Sequence, residues 1–139
     1  MVENISTHKK DIENLIRKKG SFPQLSCDSM LRDVIDLKEK FNFGTVIIVD
    51  NNDYLLGIIT DGDLRRIITK SQKHYSALMM ESVKVFINKK PISINNLDIS
   101  LDSIKKIFVS NKILDLVVVN DDNKVMGIIH IHDIFEKYV

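Results

Sequence analysis

At 139 residues, 44% of them hydrophobic and 28% charged, the chain has the make-up of one soluble globular domain. A chain of this length buries enough surface to need neither disulfides nor a structural metal. The single cysteine, Cys27, excludes an internal disulfide, and nothing at the N-terminus resembles a signal peptide, so a cytoplasmic location is the expectation. Apolar runs such as Leu55 to Ile59 are five residues or fewer, far short of the roughly 20 that a membrane helix requires. A formal charge of +1 argues against a surface built to neutralise a nucleic-acid backbone.

Residues 1–20 read as a polar arm or linker. Lys9, Lys10, Arg17, Lys18 and Lys19 make it basic, Glu3, Asp11 and Glu13 interrupt the charge, and a helix around Lys10 to Lys18 is expected to end at Gly20. A short strand near Phe22 to Leu25 stands beside Pro23. Met30, Val34, Leu37 and Phe41 then recur at helical spacing, with Asp28 or Ser29 placed to cap the helix. Thr45 to Val49, the turn formers Asp50 to Asp53, and Tyr54 to Thr60 read as a β-hairpin, followed by a helix over Asp61 to Thr69. Residues 71–90 form a linker in which Ala77 to Met80 suggest a helical turn.

The same order then returns. A shift of 70 residues lays Leu31 on Leu101, Val46 to Val49 on Leu116 to Val119, Gly57-Ile58-Ile59 on Gly127-Ile128-Ile129 and Asp63 on Asp133. The second copy accordingly has a strand near Ile92 to Ile94, a helix, strands at Leu116 to Val119 and Lys124 to His130, and a helix from about His132 to Tyr138. The expected fold is α/β, two β-α-β-β-α repeats at 21–70 and 91–139 packed as a pseudo-twofold pair.

The chemistry-bearing residues cluster where each hairpin meets its second helix. Thr60 ends a strand and Asp61 to Asp63 open a helix, so backbone N–H groups and the positive helix terminus converge beside a hydroxyl, a corner able to hold phosphate. Asp63 offers two acceptor oxygens to vicinal ribose hydroxyls, and Gly57 a point of close approach. The same residues also suit purely structural roles: Asp61 as a helix cap, Asp63 as a favourable charge, Gly57 as a packing glycine. Arg65 and Arg66 stand in the first turns of that helix, against the usual preference of cations for C-termini, which suits a ligand phosphate, Asp61, a partner subunit or a solvated face. In the second copy His130 replaces the threonine while Asp133 is retained. His130, His132 and Asp133 also invite a metal reading, but only His8 and His74 remain as further imidazoles, with no cysteine pair to complete a site, and a structural or ligand-facing role is favoured over zinc.

The duplicated pattern, with Gly57-Ile58-Ile59-Thr60-Asp61-Gly62-Asp63 at the end of a hairpin, resembles a tandem cystathionine-β-synthase (CBS) domain pair, or Bateman module, over residues 21–139. Gly57 to Arg66 together with Gly127 to Ile134 looks like the C-terminal CBS pair of bacterial D-arabinose-5-phosphate isomerases, which serve 3-deoxy-D-manno-octulosonate (Kdo) synthesis. The first of these strings also resembles CBS pairs fused to sugar nucleotidyltransferases, and His130-Ile131-His132-Asp133 tips the choice of parent toward the isomerase. The resemblance implies a regulatory module without catalytic residues or cofactor, because the family's isomerase domain has no room in this chain. It implies a nucleotide or nucleotide sugar as ligand, and self-association as a homodimer, or as a tetramer in a full-length parent. It places Thr60 near phosphate and Asp63 on ribose, with Leu25, Ser26, Thr45 and Val46 around the base. Arg65 and Arg66 complete the first candidate set, and Ile94, Asp115, Leu116, His130, His132 and Asp133 make up the second.

Overall fold

A computed structural model of the chain describes residues 2–87 and 91–138. It is a mixed α/β protein with elements in the order α1 (Val2–Leu15), β1 (Arg17–Lys18), β2 (Gln24–Ser26), α2 (Leu31–Phe41), β3 (Thr45–Val49), β4 (Leu55–Thr60), α3 (Asp61–Lys70), α4 (Tyr75–Met79), β5 (Ser93–Ile94), α5 (Leu101–Asn111), β6 (Asp115–Val119), β7 (Val125–His130) and α6 (Ile131–Tyr138). The chain divides into two units, one of residues 20–91 and one of 1–19 with 92–139.

In the unit of residues 20–91 a three-stranded sheet runs β2-β3-β4, with β2 parallel and β4 antiparallel to β3. All five residues of β3 are buried, as expected of a β-branched central strand. Leu31 and Val34 of α2 and Leu64 of α3 pack with Val46, Ile48 and Ile59 into one core, joined by Leu78, Met79 and Val83. The segment after α3 therefore belongs to this core. Backbone bonds fasten it there: Leu31 N–H donates to Glu81 O at 2.9 Å and Val83 N–H to Ser29 O at 3.0 Å.

The other unit carries a four-stranded sheet in the order β1-β7-β6-β5. Ile104 and Phe108 of α5, Leu116 and Val118 of β6, Ile129 of β7 and Ile134 of α6 form its core. Ile12 and Leu15 of α1 are buried in the same core, and β1 pairs antiparallel with β7. The arm is thus built into this unit. Its helix ends at Leu15, earlier than the periodicity suggests, because the chain turns into β1; Gly20, at φ +92°, lies beyond that strand and caps nothing.

The 70-residue shift holds down to single backbone angles. Asn42 and Lys112 end α2 and α5 in the left-handed conformation at φ 50° and 53°, and Asp53 and Asn123 close the hairpin turns at 67° and 62°. Asp50 Oδ1 accepts from the N–H groups of Asn52 and Tyr54, and Asn120 Oδ1 from those of Asp122 and Lys124. Such side-chain bonds to following amides are the reason Asp and Asn favour turns. Helix starts differ. Ser100 caps α5 by accepting from Ser103 N–H at 3.1 Å. The first copy is capped at Met30, not Asp28 or Ser29: no side-chain oxygen is available at that position, and Asp33 instead reaches back to accept from Met30 N–H at 2.9 Å.

Candidate functional site

The corner between β4 and α3 is fixed by a reciprocal pair of hydrogen bonds. Asp63 N–H donates to Thr60 Oγ1 at 3.1 Å, and Thr60 N–H to Asp63 Oδ2 at 2.9 Å. The helix cap is therefore Thr60, not Asp61, because the strand's last residue already supplies the oxygen that the first turn needs. Asp61 N–H donates to Gly44 O at 3.0 Å. Of the amides expected to be unpaired at this corner, those of Asp61 and Asp63 are satisfied, and among the described residues Gly62 N–H is the first-turn donor left over. Thr45 lies directly across the ladder from Thr60.

Arg66 Nη2 donates to Asp63 Oδ1 at 2.6 Å, with the arginine side chain 56% and the aspartate 14% exposed. Both open onto a groove of about 560 Å³ that Lys70, Lys73, Leu78 and Phe86 also line, a size at which small-molecule sites are found. Arg65 is exposed on the same helix. Beneath the corner, buried Lys38 of α2 donates to Gly44 O and, at 2.6 Å, to Asp61 Oδ1.

The remaining first-copy positions divide by face. Leu25 packs on the core, Val46 is buried within it and offers a ligand only its backbone, and Ser26 Oγ accepts from Asp28 N–H.

The corresponding corner of the second copy has different chemistry. Asp115 and His130 face each other across β6 and β7 where the first copy has Thr45 and Thr60. His130 Nδ1 stands 2.6 Å from Asp115 Oδ1, with the carboxylate side chain 3% exposed, and the His132 ring meets that of His130 edge-on at 4.8 Å. Asp133 is held by Arg17 of the arm: Nε donates to Oδ2 at 2.7 Å and Nη2 to Oδ1 at 2.9 Å. Leu116 is buried in the core and Ile94 packs against it. Among the described residues no cluster of three or more His, Cys, Asp or Glu is arranged to hold a metal ion. A further cavity, of about 960 Å³, lies at the opposite end of β6, where Lys18, Val119, Asn120 and Met126 meet.

The sequence profile of the CBS domain matches residues 12–70 and 83–139. The chain belongs to the CBS-domain family. Its two matches make it a CBS pair, and the first begins inside α1, so the profile takes in part of the arm.

This CBS pair is 28% identical over 126 residues to arabinose 5-phosphate isomerase KdsD of Francisella tularensis, covering 90% of the chain and 36% of the isomerase. It is 31% identical over 110 residues to inosine-5'-monophosphate dehydrogenase of Aquifex aeolicus, covering 79% and 21%. Among solved structures, that of CBSX2 in complex with AMP superposes with a TM-score of 0.77 at 18% identity, over 90% of this chain and 92% of CBSX2. The chain spans 34% to 40% of the length of the first curated relatives it matches. A CBS pair is a regulatory module rather than a catalytic one, and among the described residues no helix is long and apolar enough to cross a membrane.

Lys38 and Arg17 shape the two corners without belonging to either set expected from the sequence. A signal for the first is present: the 70-residue shift sets Lys38, Gly44 and Asp61 against Phe108, Leu114 and Ile131, three polar or small positions replaced together by apolar ones. Arg17 has none, since its partner lies 116 residues away.

Proposed function

We propose that this CBS pair binds a nucleotide or nucleotide sugar, an adenine nucleotide or CMP-Kdo, at the first repeat, and through it modulates a sugar-phosphate isomerase domain carried by a longer protein. The observation that carries the reading is the corner of Thr60 and Asp63. It combines a hydroxyl, a left-over amide at a helix N-terminus and a mostly buried carboxylate at the edge of a groove lined by Arg66, Lys70 and Lys73. Asp63 accepts the ribose diol. Thr60, Gly62 N–H and Arg66 take the phosphate, Arg66 turning from Asp63 as the diol arrives, while Arg65 stays on the open helix face. Leu25, Ser26, Thr45 and Val46 border the base through backbone groups. The AMP complex of the similarly folded CBSX2 and the likeness to the isomerase KdsD support this choice of ligand and parent.

In the second repeat, Ile94, Asp115, Leu116, His130, His132 and Asp133 take a different ligand or none. The modules associate in pairs, and the assembly works in the cytoplasm. Ligand controls the attached domain to the extent that it binds two arrangements of the assembly with different affinity.

A second reading is that the pair is a structural oligomerisation element. The reciprocal cap between Thr60 and Asp63 favours it, since it accounts for both residues without a ligand. Calorimetric titration with AMP, ATP, CMP and CMP-Kdo separates the two. Binding by one of them that Asp63→Ala abolishes supports the regulatory reading, and a folded chain that binds none of them supports the structural one.

A further inference from the structure

We infer that Arg17 closes the second repeat to ribosides and so limits the chain to one nucleotide, held at the first repeat. The inference rests on the proposed role of Asp63 as acceptor of a ribose diol. Asp133 is the matching carboxylate in the second repeat, and its two oxygens already receive two parallel N–H donors from one guanidinium, at 2.7 and 2.9 Å. A vicinal diol approaches a carboxylate in the same way, with two donors directed at two oxygens, so guanidinium and diol compete for one face.

What distinguishes the repeats is how firmly each arginine is held. Arg66 touches Asp63 through one nitrogen, is 56% exposed, and lies on the same helix three residues away; it can turn from Asp63 toward the phosphate when a ligand arrives. Arg17 makes the full fork, is 35% exposed, and is anchored by its backbone, because β1 is zipped to β7 with Arg17 opposite Ile128 and Lys18 opposite Gly127. That strand cannot drift away easily. It sits so close to β7 that a Cβ on Gly127 would fall 2.5 Å from Arg17 O. The sequence of α6 contains no arginine, and the guanidinium at Asp133 comes from the arm. His130, directed by Asp115, stands where the first repeat has the hydroxyl of Thr60. Thr60 thus has a replaced counterpart in the second repeat and Asp63 an occupied one.

The test is AMP titration by calorimetry of the full chain and of three variants, Asp63→Ala, Arg17→Met and the double variant, with folding checked by thermal melts. Methionine keeps an aliphatic stem in place of the arginine and leaves the backbone pairing of β1 intact. We expect one equivalent for the unmodified chain, two for Arg17→Met, and one for the double variant, where Asp63→Ala alone gives at least a tenfold loss. Equal stoichiometry with and without Arg17, whether or not Asp63→Ala is also present, overturns the inference. Failure of the first-repeat reading shows separately, as indifference of binding to Asp63→Ala. A measurement that needs no substitution is the Arg17 Nε–H resonance: unchanged at saturating AMP it supports a closed second repeat, and displaced by AMP it overturns it.

Discussion

Lys38 and Asp61 are joined by an ion pair of 2.6 Å in which one partner is buried and the other is in water, the side chains being 9% and 76% exposed. The cost of breaking the pair depends on which partner is left behind. Asp61→Ala leaves a buried ammonium with the Gly44 carbonyl, and loss of a charge-assisted bond at a buried group costs about 1.5–3 kcal/mol. Lys38→Met leaves a carboxylate that water already solvates, and is expected to cost less than about 1 kcal/mol. Urea denaturation of the two single variants checks the order, and a larger loss for Lys38→Met would show that the pair is held from the aspartate side.

How much of this is visible in the sequence varies by residue. The repeat, the two hairpins and the corner at Thr60 and Asp63 are legible because strand alternation, helical spacing and turn residues are local patterns, and each occurs twice. The cap at Met30 is not, since it works through Asp33 and not through the residue at the cap itself. The arm reads as a solvated linker because its basic residues dominate its composition, although Ile12, Leu15 and Ile16 mark one apolar helix face at spacings of three and four. Charge along a solvated side and burial along the other coexist on one helix, and composition averages them.

The arm should accordingly contribute to the stability of the second repeat. Ile12 is fully buried, and its truncation to alanine is expected to cost about 2–5 kcal/mol, the usual range for removing a large aliphatic side chain from a core. Chemical denaturation measures this. A loss below about 0.5 kcal/mol, the ordinary range for a surface substitution, would mean that α1 is only laid on the surface.

Gly127 allows the close approach of β1. An added Cβ would lie 2.3 Å from Ile16 Cγ2 and 2.5 Å from Arg17 O. The second contact is with backbone, which cannot swing aside. Gly127→Ala is expected to push β1 off β7, with a cost of about 1–3 kcal/mol and faster exchange of the β1 amide that bonds to β7, since only alternate residues of an antiparallel pair do so. Unchanged exchange in β1 would contradict the tight pairing.

Thr60 serves the helix and, on the proposed function, the ligand, and the two roles can be measured apart. Thr60→Ala removes the cap of α3 and is expected to lower stability by about 0.5–2 kcal/mol. Thr60→Ser keeps the oxygen that accepts from Asp63 N–H. It should retain most of that stability together with nucleotide affinity, whereas Thr60→Ala lowers both. Equal nucleotide affinity for the alanine and serine variants would confine Thr60 to its role at the helix end.

Asp115 and His130 provide the sharpest comparison between the repeats, because the same ladder position carries Thr45 and Thr60 in the first. The Asp115 side chain is almost fully buried and bonded to the imidazole at 2.6 Å. Removing His130 alone takes a partner from a buried carboxylate, and His130→Thr is expected to cost about 1.5–3 kcal/mol. Asp115→Thr alone takes the orienting group from the ring. The double variant installs the threonine pair that an equivalent backbone already accommodates 70 residues earlier, so it should be less destabilised than the sum of the single variants. A coupling of about 0.5–3 kcal/mol is expected for residues in direct contact. Denaturation of the three variants closes the cycle, and additivity would mean that the Asp115–His130 bond adds nothing to the fold.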